Sequence, residues 1–72
     1  MIEIFKTNVT KKSASKRVQR KLLEVIPAAA INFDLDDCDR ILRVQNENQN
    51  IDTGQVIELV GAMGFDCEVL KD

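Results

Sequence analysis

Histidine, tyrosine and tryptophan are missing from this sequence, and cysteine is limited to Cys38 and Cys67. Without histidine the chain lacks both the commonest general base and the commonest metal ligand. Ser13, Ser15 and the two thiols therefore have no imidazole to activate them. No glycine-rich turn is present to cradle a phosphate, and the carboxylates show no spacing that marks an acid/base pair. No enzymatic activity and no cofactor are expected. Two cysteines are too few for a disulfide framework. No apolar run is long enough to span a bilayer, and no apolar leader with a small-residue cleavage site follows Met1. A cytoplasmic protein without a membrane segment is expected.

What is present suits one small globular domain over residues 1–72. The hydrophobic fraction, 44%, argues against disorder. The length lies near the lower limit for folding without a disulfide or a metal. Charge is distributed unevenly. Residues 1–21 hold seven Lys/Arg against Glu3 alone, whereas residues 22–72 hold three Lys/Arg against eleven Asp/Glu. Such an asymmetry speaks of surfaces and partners rather than of fold.

Along the chain, Ile2, Ile4 and Lys6 alternate with Glu3, Phe5 and Thr7, which predicts a strand with Phe5 on the open face of a sheet. A turn over 8–11 follows, with Thr10 or Ser13 as candidate helix caps. Ala14, Val18, Leu22 and Val25 recur at helical spacing, and Pro27 ends that helix. Ile31, Phe33 and Leu35 alternate with polar residues as a half-buried strand. After a turn at 36–39, a second strand over 40–45 carries Leu42 and Val44 on one face, so the pair reads as a hairpin. The segment 46–50 is a polar connector. Asp52 and Gln55 have capping-box spacing, and Val56, Leu59, Val60 and Met63 mark a second amphipathic helix. Gly64 closes it, and Cys67 and Val69 share one face of a last strand.

The order β-α-β-β-α-β with one buried sheet face predicts an α+β, ferredoxin-like sandwich: a four-stranded antiparallel sheet with two helices on one side. Strand directions then bring three connections to one end of the domain, namely 8–14, 36–39 and 64–65. The cationic turn is thereby set beside the acidic hairpin.

The segment Gly64-Phe65-Asp66-Cys67-Glu68-Val69-Leu70 resembles the Gly-aromatic closing segment of the heavy-metal-associated domains found in copper chaperones and metal-pumping ATPases. Val18, Leu22 and Val25 fall on that family's first-helix core positions, and Phe33, Leu35, Leu42 and Val44 follow its strand pattern. The family's Met-x-Cys-x-x-Cys motif falls on Val9, Lys11 and Ala14, so both cysteine positions are lost. Two thiolates at that spacing hold Cu(I) because a soft ion prefers soft ligands. Lysine and alanine provide none, and no metal is assigned to these positions.

The basic residues Lys11, Lys12, Lys16, Arg17, Arg20 and Lys21 are the candidate partner-binding set. Lys12, Lys16 and Arg20 form an i, i+4, i+8 row of like charge, destabilising by about 0.2–0.5 kcal/mol per pair. Those near the helix start also oppose its dipole. A local rule broken in this way points to function, although long cationic stems also serve as ordinary solvated cover. The resemblance implies an acidic protein surface as partner, because its chaperones meet acidic targets with a basic first helix. Nucleic acid is disfavoured, since only Phe5, Phe33 and Phe65 offer aromatic faces for stacking. The alternative function is metal binding or trafficking through Cys38 with Asp36, Asp37 and Asp39. Against it stands the usual role of aspartate in solvated turns. Cys67 reads as a small core residue on an edge strand, too far from Cys38 for a disulfide.

Overall fold

The computed structural model of the chain describes residues 1–48 and 50–70; Gln49, in the polar connector, lies outside the described residues. The elements follow the expected order: β1 (Ile2–Thr7), α1 (Lys12–Val25), β2 (Ala30–Asp34), β3 (Ile41–Gln45), α2 (Thr53–Ala62) and β4 (Cys67–Val69). The strands form one antiparallel sheet in the order β2-β3-β1-β4. This is the α+β ferredoxin-like βαββαβ arrangement, with β2 and β4 at the two edges.

The core lies between the sheet and the helices. It is built from Phe5, Val18, Leu22, Leu42, Val44, Ile51, Val56 and Val60, and removing each such side chain from water contributes about 1.5–3 kcal/mol. One expectation is reversed here. Phe5 does not cover the open face of the sheet; it is fully buried, while Ile2 on the opposite parity is 51% exposed. Both alternate sets of β1 contain apolar residues, so alternation alone leaves the choice open. Pairing decides it, because Phe5 sits opposite Leu42 and Ile4 opposite Arg43.

Three boundaries also move. Val25 is not a core position but is exposed at the end of α1, and half-buried Ile26 takes over the packing. Leu35 falls in the turn rather than in β2. β3 starts at Ile41 rather than at Arg40, whose backbone is in the left-handed region at φ 47°. A side chain other than glycine is held there at a cost. Arg40 is secured by its contacts: its guanidinium donates to the carbonyl of Leu35, its N–H to that of Asp37, and its own carbonyl accepts from the Thr7 hydroxyl.

The second helix ends as its sequence implies. The Asp52 carboxylate accepts from the Gln55 N–H at 3.1 Å. At the other end Gly64 adopts φ 95°, and its N–H and that of Phe65 bond back to the carbonyls of Gly61 and Val60. That is a Schellman closure, which favours glycine because a Cβ is strained at positive φ.

Candidate interaction surface

The basic segment begins where β1 leaves the sheet. The Thr7 hydroxyl accepts from the Val9 N–H at 3.2 Å, and the Val9 side chain is fully buried. The chain then enters α1 through Lys11, an N-cap with extended backbone and no side-chain cap. Neither Thr10 nor Ser13 caps the helix. The hydroxyl nearest the helix start that is engaged belongs to buried Ser15, and it donates back to the Lys12 carbonyl at 2.7 Å. The first turn thus leaves orphan N–H groups for solvent or a ligand. It contains no acidic residue to complement them.

All six candidate residues, Lys11, Lys12, Lys16, Arg17, Arg20 and Lys21, are exposed. Ala14, Ser15, Val18 and Leu22 form the buried stripe of the same helix, so the cations occupy its outward circumference. Among the described residues Lys21 alone of the six makes an ion pair, with Glu24 at 3.4 Å. The positions aligned with the lost cysteine motif have no ligand character. Val9 and Ala14 are buried in the apolar interior, and Lys11 faces solvent.

The three connections expected at one end do meet there. The Thr7 N–H donates to the Asp39 carbonyl at 3.1 Å, and Asn8 exchanges hydrogen bonds with Asp66. The acidic hairpin is balanced from an unexpected side. Asp39 faces Lys6 of β1 at 3.8 Å, and Asp34 faces Arg43 of β3 at 3.9 Å. Asp39 and Asp34 are therefore paired to the sheet, and among the described residues no hairpin carboxylate forms an ion pair with an α1 cation. Periodicity in the sequence could not reveal these pairs, since they join residues brought together by strand register.

Asp37, Cys38 and Asp39 place one ligand atom each within 4.8 Å of one another. Asp36 is not among them. The carboxylate of Asp37 also accepts from the Asp39 N–H at 2.9 Å, which is how aspartate ordinarily closes a turn. Cys38 is exposed and Cys67 half-buried, both as free thiols. Burial, with help from neighbouring Glu68, pushes the Cys67 thiol up from 9.0 to about 11. A thiol held neutral in this way is a poor nucleophile and a poor ligand.

One feature of the surface escaped the sequence reading. A groove separates α1 from the end of β2 and the turn after it, with Lys12, Ser15, Lys16 and Gln19 on the helix side and Phe33, Asp34, Leu35 and Asp36 on the other. Phe33 and Leu35 read as core from their alternation. Only their position beside an edge leaves them partly open. The chain matches no protein-family model, and no curated protein or solved structure matches it.

Proposed function

We propose that this chain is a protein-interaction module that docks an acidic protein surface on the outward side of α1, and that it is a relative of the heavy-metal-associated domains lacking their Met-x-Cys-x-x-Cys motif. The observation that carries the docking reading is the set Lys11, Lys12, Lys16, Arg17 and Arg20. All five are exposed and form no ion pair among the described residues. Unpaired like charges on one helix lower its own stability, and an anionic partner removes that repulsion. The β-α-β-β-α-β order supports the family reading, together with the glycine turn and the strand that end the described chain.

Nucleic acid fits less well. Phe5 is fully buried, and Phe33 and Phe65 are half-buried against the core. No aromatic ring among the described residues lies on the open sheet face, where base stacking needs one.

The competing reading is metal handling by Cys38 with Asp37 and Asp39, favoured by ligand atoms that lie within 4.8 Å of one another. It is the weaker one, because Asp37 and Asp39 already serve the turn and Lys6.

Amide shift mapping of the labelled protein with poly-L-glutamate tests the docking reading. Shifts centred on residues 11–21, fading as salt rises past about 0.15 M, are expected. Reversing Lys16 and Arg17 to glutamate should abolish them. Shifts that ignore both salt and charge reversal would remove the proposal. A parallel titration with Zn²⁺ and Cu(I) under reducing conditions should leave residues 36–39 unmoved at stoichiometric metal. A saturable shift there that is lost in Cys38→Ser would favour the metal reading instead.

A further inference from the structure

The two edges of the sheet differ in what they offer a partner. An edge strand turns half of its peptide N–H and C=O groups away from its one neighbour. β4 is three residues long and lies beside α2, which contains Glu58 and no lysine or arginine. β2 is five residues long, without proline, and α1 packs beside it. Among the described residues, no hydrogen bond beyond the β3 ladder engages the peptide groups of Ala30–Asp34. Natural sheets usually blunt such an edge with proline, inward charge or a bulge. No proline or bulge interrupts β2 and its one charge is Asp34, and the groove that carries Lys12 and Lys16 borders the end of this edge at Phe33 and Asp34.

We infer that β2 accepts an extended acidic segment of the partner as a fifth strand, its main chain bonding the free edge and its carboxylates meeting Lys12 and Lys16. The inference rests on the docking role of α1 and adds how the partner is held. Strand addition supplies affinity through main-chain hydrogen bonds and selectivity through alternate side chains. Here the end of the added strand beside Phe33 meets the groove, where Phe33 and Leu35 accept its aliphatic stems and the two lysines its charged tips. Asp34 and Asp36 also line the groove and oppose an acidic guest. Asp34 is directed to Arg43 and so counts for less. A second copy of the chain is the worse occupant. Antiparallel pairing of two β2 edges about a two-fold axis brings the two α1 helices side by side, and their cationic rows repel.

The test uses the labelled protein and a peptide of alternating threonine and glutamate, about seven residues long so that it spans the edge. Three measurements are made: peptide affinity, amide exchange in β2, and affinity of the same peptide N-methylated at alternate residues. Methylation removes donors and leaves every charge. Exchange should slow at alternate residues of Ala30–Asp34, and methylation or Lys16→Glu should each weaken binding about tenfold or more. Equal binding by the methylated peptide, with no alternating protection, would overturn strand addition and leave docking on α1 standing. Failure of both peptides and of poly-L-glutamate to shift residues 11–21 would overturn both. Equal affinity for a threonine-lysine peptide would overturn the assigned chemistry of the guest.

Discussion

The two helices cover the same side of one sheet, yet they are made differently. α2 is ten residues long and rich in poor helix formers: Gly54, Gly61, Thr53 and three β-branched aliphatics. It is fastened at both ends, by the Asp52 carboxylate and by the Gly64 closure. α1 is fourteen residues long, contains lysine, arginine, leucine, glutamine and alanine, and starts without a side-chain cap. Residues of that kind hold a helix by intrinsic preference, and the others depend on caps and packing. The helix that needs its ends has them. The other has the better helix formers and starts without a side-chain cap, and its outward side is free to carry charges that do not help it fold. This is why the cations of α1 read as a surface kept for contact, while α2 reads as structure.

The comparison is broken most severely by removing what α1 shares with the core. Leu22→Ala should cost about 2–5 kcal/mol in chemical denaturation, against a total of roughly 4–11 kcal/mol for a chain of this size. A loss well under 1 kcal/mol would mean that α1 is not held by its buried stripe.

Removing a cap separates the helices more finely. Asp52→Ala should cost about 0.5–2 kcal/mol, whereas Thr10→Ala and Ser13→Ala should have little effect, because neither hydroxyl caps α1. Equal losses at all three sites would contradict the assigned helix starts.

A smaller effect follows from Cys67, because solvent still reaches its half-buried thiol. Its folded value, about 11, lies above the ordinary 9.0. The unfolded chain therefore releases this proton first as pH rises. The contribution is fully present below pH 9 and is lost between 9 and about 11. The melting temperature of the wild type should fall faster across that window than that of Cys67→Ala. Parallel curves would place the thiol in solvent.

Supplying the missing cap should sharpen the contrast in the opposite direction. Lys11→Asp adds an acceptor and an anion at the start of α1, and should stabilise the isolated domain by about 0.5–1 kcal/mol while weakening poly-L-glutamate binding. Stabilisation without loss of binding would take Lys11 out of the docking set.

The least effect is expected at Arg20. Arg20→Glu relieves repulsion with Lys16 but adds it toward Glu24, so stability should stay within about 0.5 kcal/mol. A larger loss by thermal melting would show that Arg20 is packed rather than held for a partner.

Much of this molecule is legible in residue order. The two helical stripes, Pro27 and Gly64 as stops, the Asp52 cap and the alternation of the hairpin strands are local signals. Propensity, capping and period act over a few residues, so the element order and the sandwich follow from them. The exposure of the α1 cations was also readable, because a stripe of Ala14, Val18 and Leu22 leaves the rest of that helix outward. Other features depended on residues far apart in the chain. Phe5 and Ile4 compete for the interior on equal terms until β1 pairs with β3. Arg40 takes a left-handed backbone because the carbonyls of Leu35 and Asp37 and the hydroxyl of Thr7 converge on it. Lys6 and Arg43, rather than α1, meet Asp39 and Asp34 because register sets them there. The open edge of β2 beside Lys12 and Lys16 arises only when α1 folds back along it. Local chemistry chooses each element and its faces, but which face is buried, which charge is answered and which edge stays open are set by contacts that form only when the elements pack together.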